Sequence, residues 1–141
     1  MKPQTFTIEY KEEVPLETLK KIWEEIRGDL KKKGYQVENV QMPRVRAFVL
    51  SRKYFLEINK ELLESPHIKD LGEAEYGEKS NANCSASIFY SDVNQEWIIL
   101  KCEGTLPLEV DLNHELRHLC EDFLGLKWGS LTAKESNFKI R

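Results

Sequence analysis

The chain has 141 residues, enough for one domain around one sizeable core, and its 40% hydrophobic and 32% charged residues fit a globular protein. A formal net charge of −3 leaves no basic footprint for nucleic acid, and the lysines at 31–33 fall at a predicted helix end, where cations offset the helix dipole. No apolar run approaches the roughly 20 residues that cross a bilayer, and the acidic N-terminal stretch lacks the apolar segment of a signal peptide, so no membrane partner and a cytoplasmic location are expected.

Residues 4–10 alternate apolar and polar, with Phe6, Ile8 and Tyr10 on one face, and predict a short strand. Leu16, Leu19, Ile22, Trp23, Ile26 and Leu30 then recur at steps of three and four, the pattern of an amphipathic helix with Pro15 in its first turn and Gly34 past its end. Residues 35–41 and 44–50 are strand-like. Ser51 is placed to cap a second helix over 51–64, whose Tyr54, Phe55, Ile58, Leu62 and Leu63 share a face; a strand continued through Phe55 is the alternative.

Residues 65–83 are polar and read as a long connection. Segments 84–91 and 96–102 alternate about a short turn and predict a β-hairpin. Thr105 is a candidate cap for a helix over 107–125 that stops near Gly125, and Ser130 is placed to start a short final helix. These elements give an α+β fold in a single domain, 1–141. It divides into an N-terminal strand and helix (1–34), a central core (35–125) and a C-terminal extension (126–141).

Cys84, Cys102 and Cys120 are odd in number and widely spaced, which supports neither a zinc ribbon nor a thioredoxin-type pair. Glutamate outnumbers aspartate 19 to 5 and lysine outnumbers arginine 15 to 6, a bias found in heat-adapted proteins. No phosphate-binding glycine loop and no G-x-S-x-G elbow occurs.

The informative stretch is "NHELRH", residues 113–118, where His114, Glu115 and His118 have the spacing H-E-x-x-H. At 100° per residue, Leu112, Leu116, Leu119, Phe123 and Leu126 gather on one side of the helix with Cys120 beside them. His114 and His118 fall about 40° apart on nearly the opposite side, with Glu121 next to them and Glu115 and Asp122 at the flank. Two imidazoles four residues apart can reach one zinc ion, and a glutamate rotated by one residue is placed to exchange protons with an activated water. The plain alternative is a solvated polar face carrying two histidines.

Through these residues and the order of elements over 35–125, the chain resembles the zincin metallopeptidases. The resemblance implies a twisted mixed sheet, partly antiparallel, with a backing helix over 51–64 and a motif-bearing helix packed on it. It implies zinc as cofactor, His114 and His118 as ligands, Glu115 as catalytic acid/base, and a peptide or protein substrate. A strand of the hairpin, with "EWIIL" (96–100), could hold that substrate by strand addition or be core.

A third ligand is also required. Glu135 is the first candidate, in the order shown by the gluzincin branch; His67 is an alternative, and Glu121 is better placed to orient a histidine than to reach the same ion. Arg117, inside the motif, needs solvent or a carboxylate such as Asp122 or Glu121. Only 23 residues follow His118, so a second copy of the chain or another partner is a candidate to complete the cleft. The competing expectation is a non-catalytic module of the same fold that binds a protein partner, with or without structural zinc.

Overall fold

The computed structural model describes residues 10–63, 68–70, 85–91, 94–127 and 130–131. Their elements in chain order are β1 (Glu12–Glu13), α1 (Leu16–Lys32), β2 (Val45–Leu50), α2 (Arg52–Leu63), β3 (Ile68–Asp70), β4 (Ala86–Ser91), β5 (Glu96–Cys102) and α3 (Leu108–Leu124). The strands form one mixed sheet in the order β1-β2-β5-β4-β3. Only β2 and β5 run parallel, with Ala47 opposite Ile99; the other pairings, including the β4–β5 hairpin, are antiparallel. The fold is therefore α+β with a mixed sheet, as expected. Among the described residues no helix is long and apolar enough to cross a membrane.

Both faces of the sheet are covered, so side chains of β4 and β5 are buried on either side. Val45, Ala47, Ile88 and Ile99 point to one side and pack with Leu19, Ile26 and Leu30 of α1 and Leu112, Leu116 and Leu119 of α3. Phe48, Leu50, Phe89, Ile98 and Leu100 point to the other side and meet Phe55 and Ile58 of α2. The expected helix over 51–64 thus forms as α2, with Ser51 Oγ accepting from Tyr54 N at 3.3 Å, and lies on the face of the sheet opposite the motif helix. The helix beside α3 is α1. The division at residue 34 consequently cuts through one packed layer.

Residues 35–41 are not a strand. Gly34, at φ +96°, closes α1, and Tyr35 N returns to Leu30 C=O at 3.0 Å. Val37 and Val40 are buried under α1, where their carbonyls accept from Arg27 Nη2 (2.9 Å) and Trp23 Nε1 (3.3 Å). Side chains of α1 thus supply the partners that a neighbouring strand would have supplied. The expected strand at 4–10 lies outside the described residues except for Tyr10, which stacks on Phe48 at 4.9 Å. The strands β1 and β3 were not expected: β1 is two exposed glutamates, and β3 falls within the predicted long connection.

Candidate functional site

The motif helix begins at Leu108, with Pro107 in the capping position and no side-chain cap. Thr105, expected to cap it, is committed elsewhere: its hydroxyl donates to Cys102 C=O (2.9 Å) and accepts from Lys101 Nζ (2.6 Å). Gly125, at φ 68°, ends the helix in the left-handed conformation, as its sequence position suggested.

Burial corrects the expected sidedness of α3. Leu112, Leu116, Leu119 and Cys120 are buried as predicted, but Phe123 is 47% exposed and meets Trp23 only edge-on, at 6.2 Å. The polar side is not a solvated face. Glu115 is 6% exposed, His118 8% and Glu121 0%. Helix α3 lies between α1 and the β4–β5 surface and is covered on much of its circumference. Burying imidazole and carboxylate groups is costly unless they are hydrogen-bonded, and His118 and Glu121 are. His118 Nδ1 meets Glu121 Oε1 at 2.7 Å, and the two motif imidazoles lie nearly perpendicular with centroids 4.9 Å apart. Glu121 Oε2 accepts from Leu131 N at 2.7 Å.

Arg117 turns away from the site. Its Nε donates to Asn113 Oδ1 at 2.7 Å and its Nη1 to Asp29 Oδ2 of α1 at 3.0 Å. Among the described residues its carboxylate partner is therefore Asp29 and not Asp122 or Glu121. Burial raises the Asp29 pKa, but hydrogen bonds from Arg117 and Lys33, with their charges, outweigh this and hold it below the ordinary carboxylate value. Cys120 faces the core, and burial pushes its thiol up to about 12, so it is protonated at neutral pH and unsuited to nucleophilic work.

One polar group was missed at the sequence level. Lys101 of β5 is buried on the α3 side of the sheet and pairs with Asp111 Oδ2 at 2.8 Å. Ser85 Oγ donates to the other Asp111 oxygen at 2.7 Å, and Lys101 Nζ also donates to Cys102 C=O at 2.7 Å. The available signal was a lysine set between Leu100 and Cys102 at the end of an apolar run, where burial calls for a partner.

The structure thus brings together His114, Glu115, His118 and Glu121 on α3. The third-ligand candidates Glu135 and His67 lie outside the described residues. Among the described residues, no group of three or more His, Cys, Asp or Glu side chains is arranged to hold a metal ion. Two cavities, of about 470 and 310 Å³, run along α1 against residues 40–46 and share Lys20 and Met42; neither is lined by a motif residue. Comparison with protein-family models, curated proteins and solved structures finds no match.

Proposed function

We propose that this protein is a small cytoplasmic zinc-dependent hydrolase, a metallopeptidase acting on peptide or protein substrates. His114 and His118 would hold the zinc, with Glu135 as the third ligand and His67 as its alternative, and the fold would be a minimal zincin-like one. The observation that carries the reading is the 2.7 Å contact between His118 Nδ1 and Glu121 Oε1; with zinc bound, Nε2 would be the ligating nitrogen. A carboxylate on the far nitrogen of a histidine is the usual support of a metal-binding imidazole, because it fixes tautomer and ring orientation. Zinc, when bound, supplies Lewis acidity and activates water near neutral pH.

The chain's own groups would do the rest. Glu115 is next to His114 in sequence and nearly buried, an environment suited to a carboxylate that takes and returns a proton. Glu121 holds His118 in place. The same burial favours a second reading, a non-catalytic module whose polar cluster is structural, because Glu115 and His118 offer little surface to a substrate.

Two measurements separate these readings. Protein purified without added metal should carry close to one equivalent of zinc by elemental analysis; under about a tenth of an equivalent, with no thermal shift on adding zinc, removes the metal reading. Glu115→Gln should retain that zinc and lose at least about a hundredfold in chelator-sensitive cleavage of an unstructured protein, the contribution typical of an acid/base group. Undiminished cleavage would show the acid/base assignment to be wrong, and absence of cleavage by the wild type would leave the binding module.

A further inference from the structure

The larger cavity along α1, of about 470 Å³, lies where the chain passes from β1 into α1 and where residues 42–46 enter β2. Its size is that of a small-ligand site, for which roughly 300–1,000 Å³ is usual. Leu16, Leu19, Met42 and Val45 give it an apolar wall. Its charges do not cancel. Among the described residues it is lined by the cations Lys20, Arg44 and Arg46 and by the carboxylates Glu13 and Glu96. Arg46 is engaged by Glu13, whose two oxygens accept from Nε and Nη2, each at 3.3 Å. One positive charge is left over, and a ligand with a single negative charge restores neutrality.

Glu96, at the start of β5, adds a second requirement. Its side chain is only 7% exposed, yet Arg46 Nη1 and Arg44 Nη2 stand 3.7 and 4.0 Å from its oxygens. Those distances give charge attraction but no hydrogen bond, and a buried carboxylate calls for donors. We propose that this cavity binds the carboxyl-terminal end of a peptide whose last residue is apolar. The terminal carboxylate lies against Lys20 and Arg44, the apolar side chain lies on the wall of Leu16, Leu19, Met42 and Val45, and a backbone N–H of the peptide donates to Glu96. A fatty acid would match the charge and the wall but bring no donor to Glu96. A free amine would bring the donor but add to the positive excess. No residue of α3 lines the cavity, so binding there is independent of the zinc reading.

The test uses the full-length chain with a chelator present, so that capture of a carboxylate by metal cannot imitate the result. Titration with N-acetyl-leucyl-leucine, followed by methyl NMR, should give saturable shifts at Leu16, Leu19, Met42 and Val45. The carboxyl-terminal amide of that peptide, its analogue methylated on the last peptide nitrogen, and octanoate should each bind at least about tenfold more weakly, the loss expected for a hydrogen bond to a charged group. Replacing Lys20 and Arg44 together by alanine should weaken the peptide at least about tenfold and the amide by less than about twofold. Absence of saturable binding at millimolar peptide, or shifts that spare those four residues, would overturn the assignment. Equal affinity for the amide would show that no carboxylate is read, and equal affinity for octanoate or for the methylated analogue that no N–H is read. Either removes the peptide terminus as the ligand. Should the double variant fail to fold, the comparison of ligands on the wild type decides alone.

Discussion

At the scale of single residues, the costly feature is the Lys101–Asp111 pair. Lys101 Nζ donates to Thr105 Oγ1 and Cys102 C=O and forms an ion pair with Asp111 Oδ2, while Asp111 Oδ1 accepts from Ser85. A buried pair adds little net stability over apolar side chains of similar size, but leaving one charge alone is expensive. Lys101→Met is therefore expected to destabilise by about 3–5 kcal/mol, as is Asp111→Leu, while the double variant falls well short of their sum. Urea denaturation of the four proteins checks this, and strict additivity would mean that the two groups do not interact. The pair joins the first turns of α3 to β5, so its loss also loosens the element that carries His114.

At the scale of elements, α1 and α3 are joined by packing and by an ionic clasp in which Asp29 of α1 receives Arg117 of α3 and is also paired with Lys33 at the end of its own helix. The folded pKa of Asp29 is lowered, so the clasp stabilises above the unfolded value, near 3.9, and is lost as pH falls through the folded one. Wild-type stability should thus drop more between pH 5 and pH 2.5 than that of Asp29→Asn. The difference should be about 1 kcal/mol or less, since Asp29 is partly solvated. Equal drops in denaturation free energy would exclude the clasp. Both helices were legible in the sequence because each buries a stripe of leucines at steps of three and four. The hairpin was legible from its alternation and short turn. Residues 35–41 misled because Val37 and Val40 mimic strand patterning while their carbonyls are satisfied by Arg27 and Trp23. The motif itself was visible at once, and the orienting role of Glu121 followed from its place on the helix. The burial of Glu115 and His118 was not visible, because it depends on which elements cover α3, and a helical wheel carries no information about neighbours. Nor did the sequence show that α1, rather than α2, stands beside the motif helix, since both have equally good apolar faces.

At the scale of the whole molecule, the sheet is a partition. The larger apolar cluster, with α1 and the motif helix, lies on one side, and the cluster under α2 on the other. Among the described residues the two meet through strands β2, β4 and β5, whose successive side chains alternate between them. A defect under α2 should therefore reach the motif helix through backbone alone, and strand backbone pinned by ladders on both sides moves little. Phe55 is fully buried under the sheet, and Phe55→Ala should cost about 3–5 kcal/mol, from lost transfer free energy and the cavity left behind. Yet, at the zinc site proposed above, it should leave metal affinity, and the acylation rate of His118 by diethyl pyrocarbonate under folding conditions, within about twofold of wild type. Leu116→Ala removes comparable packing on the motif side and should change both, because it loosens the helix turn between His114 and His118. The comparison is made at denaturant concentrations where each variant is more than nine-tenths folded, so that loss of the native state cannot imitate loss of the site. If Phe55→Ala weakens zinc binding as much as Leu116→Ala does, the two faces are mechanically coupled, and the site depends on the whole core rather than on the α1–α3 layer.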